Sequence, residues 1–155
     1  MPVVSETELS KLVDDLHKKT KKVGFTCGVF DLLHPGHVRY LRAAKKQCDF
    51  LIVAVNDDAS ARRHKGAPLP VVHAVERAEI IGDLLWVDAV VLMPDDRPER
   101  LLRAYKPQFY FKGGDYRASE LKSAEVVEEW GGETQVLAVD SKHSSGELRR
   151  RVREL

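Results

Sequence analysis

Apolar and polar positions along this chain follow two periods, one helical and one extended, and they alternate. Ser5 followed by Glu8 makes a capping box, and Leu9, Leu12, Val13 and Leu16 recur behind it at helical spacing. An amphipathic, peripheral helix is therefore expected over 5–19. A strand-like run follows at 22–27, then a loop containing Gly28, Pro35 and Gly36, then a helix over 37–47 that turns Val38, Leu41 and Ala44 inward. Phe50-Leu51-Ile52-Val53-Ala54-Val55 is continuously apolar, as a strand covered on both faces requires. Helices over 73–85, 98–105, 118–130 and 145–153 then interleave with strands at 89–93, 109–111 and 134–139. Such alternation predicts an α/β fold, a five-stranded parallel sheet with helices on both faces, whose ligands bind beyond the carboxyl ends of the strands.

Composition narrows the function classes. At 155 residues the chain fits one domain, read here as an N-terminal helical extension (1–22) on a catalytic domain (23–155). Lys and Arg total 25 against 24 Asp and Glu, so the net charge is +1 and a broad basic surface for nucleic acid is not expected. Any anion site must then be local. Two cysteines, Cys27 and Cys48, form no disulfide framework or zinc spacing, which suits a reducing compartment. The N-terminus is acidic where a secretory signal is basic, and the longest clean apolar run falls far short of the roughly 20 residues of a membrane span. A cytoplasmic location with no membrane partner is expected.

The chemistry concentrates after the first strand, in Gly28-Val29-Phe30-Asp31-Leu32-Leu33-His34-Pro35-Gly36-His37. Two imidazoles at a strand-to-helix junction join the free N–H groups and partial positive charge of a helix N-terminus, which together make a phosphate site. Gly28 and Gly36, lacking Cβ, allow close approach of backbone and ligand. Asp31 braces its own loop or lies near the substrate phosphate. Asp58, after the second strand, is a helix cap or a site residue. Lys65 ends a basic helical stretch, where it complements the helix dipole or reaches phosphate. Arg77 opens a helix, where the dipole disfavours a cation and a ligand would favour one. Trp86 and Trp130 read as core or interface, and Arg149-Arg150-Arg151 as a solvated helix face.

His-x-Gly-His in this setting resembles the cytidylyltransferase-like nucleotidyltransferases. Within them the chain looks most similar to the branch that makes ADP-heptose from D-glycero-β-D-manno-heptose 1-phosphate. The carriers, from Val23 to Val152, are Gly28 to Asp31, His34 to His37, Leu51 to Asn56 with Asp58, Lys65-Gly66, Arg77, Val87-Asp88, Lys112-Gly113-Gly114-Asp115-Tyr116 and Gly131-Gly132-Glu133. The resemblance implies a Rossmann-like domain transferring AMP from ATP to a sugar 1-phosphate, with Mg²⁺ bridged mainly by phosphates. It implies catalytic roles for His34, His37 and Lys65, and nucleotide contacts from Gly28, Val29, Phe30, Gly36, Arg77, Gly113, Asp115, Ser144 and Ser145. Substrate contacts from Asp31, Asn56, Asp58 and Lys112 are implied as well, with Asp115 beside the ribose or the metal. It further implies a homodimer, and a separate kinase to make the acceptor, since no kinase domain fits in this length.

The chain departs from the family pattern in two places. Its last helix opens with Ser-Thr-Thr, where this chain has Ser144-Ser145-Gly146, and its usual Asn before Gly28 is Cys27. One hydroxyl and one strong hydrogen-bonding amide are thereby lost. Cytidylyl transfer to a polyol phosphate such as glycerol 3-phosphate, and nucleotide binding without catalysis, are the competing readings.

Overall fold

A computed structural model describes residues 3–114, 117–139 and 142–155, residue 119 by its backbone alone. Five parallel strands form one sheet in the order β3-β2-β1-β4-β5, namely β1 (Val23–Gly28), β2 (Phe50–Asn56), β3 (Ala89–Met93), β4 (Phe109–Gly113) and β5 (Glu133–Leu137). The helices are α1 (Glu6–Lys18), α2 (Pro35–Lys45), α3 (Asp58–Lys65), α4 (Ala74–Gly82), α5 (Glu99–Tyr105), α6 (Lys122–Glu128) and α7 (Ser145–Arg153). The expected architecture is the one observed.

Alternate residues of each strand face opposite sides of the sheet, and two separate cores result. On one face Phe25, Ile52, Ala54, Val91 and Tyr110 pack with Leu9 and Val13 of α1, Leu101, Leu102 and Tyr105 of α5, and Val126 and Val127 of α6. On the other, Leu51, Val53, Val55, Val90 and Phe111 pack with Tyr40, Leu41 and Ala44 of α2 and Ala78 and Ile81 of α4. Helix α1 is therefore a structural layer and not a peripheral one: Leu9 is fully buried, and Val4 N–H donates to the Val90 carbonyl at 2.9 Å. Its capping box forms as expected, Ser5 N–H donating to Glu8 Oε2 at 2.9 Å.

Boundaries shift where local chemistry overrides periodicity. Helix α2 begins at Pro35, not at 37, because a proline preset in φ suits the first helical position while the His34 side chain caps the helix. Helix α4 stops at Gly82, leaving Leu85 exposed, since glycine contributes little to helix propagation. The expected helix over 118–130 splits at Leu121, which is extended (φ −95°, ψ 118°), into a 3-10 turn (Ala118–Glu120) and α6.

Sheet order places the site. The chain leaves β1 toward β2 on one side, and later crosses from β3 to β4 on the other, so the connections diverge between β1 and β4. A crevice opens beyond the carboxyl ends of such a strand pair.

Candidate active site

Gly28 ends β1 and Lys112-Gly113 end β4, and above them lies a cleft in two compartments that share Cys27, Gly28, Val29, Lys65 and Lys112. The first, of 490 Å³, is lined further by His34, His37, Tyr40 and the opening of α7. The second, of 620 Å³, reaches Asn56, Asp96, Arg97, Glu120 and Lys122. A two-substrate reaction across the β1/β4 crevice has room on each side of the shared residues.

The two histidines are held by the turn that begins α2. His34 is the N-cap, and its Nδ1 accepts from the Gly36 N–H at 3.1 Å, which in a neutral ring leaves the proton on Nε2. A Cβ at Gly36 would lie 2.9 Å from two atoms of the His34 ring, so glycine here serves the imidazole above it. The rings of His34 and His37 stack with centroids 3.9 Å apart, and Phe30, held at φ +52°, tilts against His37 at 5.5 Å. Burial, then the neighbouring charges of His34 and Lys65, push the His37 pKa down to about 4. His37 is neutral at pH 7 as a result. Its Nδ1 is buried and meets no partner among the described residues. An anion in the cleft would oppose each of the charge effects that keep the ring neutral.

Helix α7 closes the first compartment. Ser144 caps it by accepting from Glu147 N–H at 3.0 Å, and the Ser145 hydroxyl donates to the carbonyls of Asp31 and Leu32, tying the helix to the loop after β1. Gly146, His143 and Arg149 line the same compartment. Lys65, at the end of α3, and Lys112 and Arg149 make no ion pair among the described residues, so three unpaired cations line the cleft, with Asp96 and Glu120 as the acids of its second compartment. The Cys27 thiol is pushed up by burial, against the pull of Lys112, and stays protonated.

Of the residues expected at the site, Gly28, Val29, Phe30, His34, Gly36, His37, Lys65, Lys112, Gly113, Ser144 and Ser145 line the first compartment, and Asn56 lines the second. Asn56 Nδ2 donates to Ser60 Oγ at 2.8 Å and to the Asp95 carbonyl at 3.3 Å, so it also braces the compartment wall. Asp115 and Tyr116 lie outside the described residues.

Three residues expected to contact ligand, Arg77, Asp58 and Asp31, line neither compartment and are engaged within the protein. Arg77 is 1% exposed and lines neither compartment; its guanidinium donates to the carbonyls of Val29 and Val72 and pairs with Asp58 at 2.9 Å. Asp58 also accepts from Ala74 N–H at 2.8 Å; burial raises its pKa, but the bonds from Arg77, His73 and Ala74 outweigh it and lower the value. Asp31 spends both carboxylate oxygens on the N–H groups of Val71 and Val72, at 2.9 and 3.0 Å. Together they lash the loop after β1 to the start of α4. Conversely, Arg149, expected on a solvated face, lines the first compartment, four residues from Ser145 on the same side of α7.

The family model for cytidylyltransferase-like proteins matches residues 25–151. The chain belongs to the cytidylyltransferase-like family. Among curated relatives of this cytidylyltransferase-like chain, the "Bifunctional protein HldE" of Paramagnetospirillum magneticum is 43% identical over 130 residues, covering 84% of this chain and 27% of the relative. That of Rhodopseudomonas palustris is 41% identical over 150 residues, covering 97% and 31%. The chain thus spans about a third of the length of these relatives, and the match reaches into segment 1–22. A crystal structure of the lipopolysaccharide core biosynthesis protein from Thermoplasma volcanium aligns at TM-score 0.64 and 27% identity, over 77% of this chain and 97% of that one. Pantoate-beta-alanine ligase from Francisella tularensis, at TM-score 0.62 and 14% identity over 100% and 78%, shares the fold. Among the described residues, no helix is long and apolar enough to cross a membrane.

Proposed function

We propose that the chain transfers AMP from ATP to a sugar 1-phosphate, D-glycero-β-D-manno-heptose 1-phosphate, forming ADP-heptose and pyrophosphate. The observation that carries this reading is the two-compartment cleft whose shared wall presents Lys65 and Lys112 beside the stacked histidines. A phosphate oxygen of the acceptor forms the new bond to the α-phosphorus. The bond from that phosphorus to the bridging oxygen breaks, and pyrophosphate leaves with the electron pair. The nucleophile has a second pKa near 6, so it is mostly dianionic at neutral pH and needs no general base. Catalysis is then positioning and charge neutralisation.

His34, His37 and the N-terminus of α7 bind the triphosphate in this reading, with Arg149 as an added cation. Lys65 and Lys112 lie between donor and acceptor, and the second compartment takes the sugar. Mg²⁺ enters as part of the nucleotide substrate. It would be bridged mainly by phosphates, with Asp115 as the candidate protein neighbour, and would help neutralise the charge of the leaving pyrophosphate. A kinase acting earlier supplies the 1-phosphate, and the reaction takes place in the cytoplasm.

The test is pyrophosphate release with ATP or CTP against a panel of sugar and polyol phosphates. Turnover is expected with ATP and the heptose 1-phosphate. Turnover only with CTP and glycerol 3-phosphate, or nucleotide binding with no release for any acceptor, would refute the proposal.

A further inference from the structure

Helix α1 lines neither compartment of the cleft and precedes residue 25, where the family match begins, yet its first turn reaches the wall of the second compartment. The bridge of Val3 to Val90 carries the incoming chain alongside β3, so α1 starts toward the carboxyl end of the sheet, with Glu6 near the residues that follow β3. Arg100, in the first turn of α5, joins the two. Its Nη1 and Nη2 donate to the Glu6 carboxylate at 2.7 and 2.9 Å, and its Nε and Nη2 to the Asp95 carboxylate at 3.1 and 2.6 Å. One guanidinium thus holds two carboxylates from separate segments, each by a two-point contact.

Asp95 passes this contact inward. While its carboxylate meets Arg100, its backbone carbonyl accepts from Asn56 Nδ2 at 3.3 Å and from Ser60 Oγ at 3.0 Å, and Asn56 lines the second compartment. The next three residues, Asp96, Arg97 and Pro98, line it too. From the other side α3, which carries Lys65, holds the same segment: Arg63 Nη2 donates to the Pro94 carbonyl at 3.0 Å, and His64 Nε2 lies 2.7 Å from the Asp96 carbonyl. Helix α3 therefore grips residues 94 and 96, and Arg100 grips the residue between them.

We infer that Arg100 is a positioning residue for the acceptor, and that Glu6 makes α1 a working part of the acceptor compartment. The inference rests on the reading that the second compartment takes the sugar phosphate. Exposed ion pairs contribute little to stability, and Arg100, Glu6 and Asp95 are 49, 39 and 30% exposed. Their effect is on geometry, where misplacing a substrate by about 1 Å costs on the order of 10²-fold in rate. The bonds from Arg100 hold both carboxyls below their usual range, so the junction is fully charged at neutral pH. Residues 94–98 do not line the first compartment, so ATP binding is insulated from the tie.

Steady-state pyrophosphate release by the full chain tests the inference. Arg100→Gln should raise the acceptor KM about fivefold or more, with the ATP KM within about twofold and Tm within about 3 °C. Arg100→Lys should recover part of the loss, since an ammonium can meet one carboxylate but not span both. Glu6→Gln should act in the same direction, and combining it with Arg100→Gln should be no worse than Arg100→Gln alone, because both act through one guanidinium. An unchanged acceptor KM in Arg100→Gln, a rise of equal size in the ATP KM, or two effects that simply add would overturn the inference. Amide hydrogen exchange needs no substrate and separates this inference from the reaction it rests on: residues 95–97 should exchange about fivefold faster in Arg100→Gln. Unchanged exchange overturns the inference even in a chain that turns over, and faster exchange in a chain silent across the acceptor panel upholds the tie and places the fault with the reaction.

Discussion

Replacing Arg77 with alanine separates a structural arginine from a nucleotide contact. The guanidinium is buried and supplies three charge-assisted hydrogen bonds, to the Val29 and Val72 carbonyls and to Asp58. Bonds to a charged group are worth about 1.5–3 kcal/mol each, so three would sum to about 4.5–9 kcal/mol if every partner stayed dry. Asp58 does not: its side chain is 33% exposed, and it keeps His73 and Ala74 N–H as partners. Counting the two carbonyls and discounting the screened pair leaves a loss of about 3 kcal/mol. For a domain of this size each kcal/mol lowers Tm by about 2–4 °C, hence a drop of about 6–12 °C. Urea unfolding followed by tryptophan fluorescence measures the first figure, and a thermal scan the second. Arg77→Lys should recover less than half, because one ammonium cannot span three acceptors on different segments. An unfolding free energy within about 0.5 kcal/mol of wild type, together with a raised KM for ATP, would show that Arg77 faces the nucleotide and refute the reasoning.

Other outcomes follow from the same geometry. His34→Ala and His37→Ala should each lower kcat by about 10²–10³ while the circular dichroism spectrum is retained; near-normal turnover in both would remove the proposed mechanism. Gly36→Ala places a Cβ 2.9 Å from the His34 ring, so activity should fall although alanine favours the helix, and a crystal structure should show the ring displaced. Arg149→Ala should weaken ATP binding about tenfold by calorimetry with little change in Tm, the reverse of the Arg77 pattern. Because His37 has a pKa near 4 in the fold and about 6.5 unfolded, only the unfolded chain takes up a proton between those values. Stability should therefore fall as pH drops from about 6.5 to 4 and this contribution should be absent from His37→Ala, as urea titrations at several pH values will read.

Periodicity was enough for the sheet and both cores because every strand is flanked by helices whose apolar faces it must meet; the continuous run from Phe50 to Val55 could only be a central strand. The His34-to-His37 segment was equally legible, since the histidine cap, the proline at the first helical position and the glycine beneath the ring all act within four residues. Arg77 was not. The dipole argument correctly finds a cation at the start of α4 unfavourable without a counter-charge, but that counter-charge is Asp58, nineteen residues earlier on another helix. Asp31 likewise satisfies N–H groups forty residues away. Partners at such separations depend on how loops meet after folding, and a single sequence does not display them. Arg149 differs from these: its spacing from Ser145 was visible, and only the side of α7 that faces the cleft was missing.

The near-zero net charge and the anion site are reconciled by how the charges are paired. On the periphery, Arg63 meets Asp96, Arg100 meets Glu6 and Asp95, Arg103 meets Glu129, and Arg150 meets Glu147 and Glu154. Each pair cancels at short range and adds little field at a distance. Among the described residues, Lys65, Lys112 and Arg149 lack such partners and line one cleft, where charges held away from bulk water attract an anion with less screening. His37 is held neutral by burial and by the charges of His34 and Lys65, and a bound anion would oppose both charge effects. In the reaction proposed above, the triphosphate is that anion.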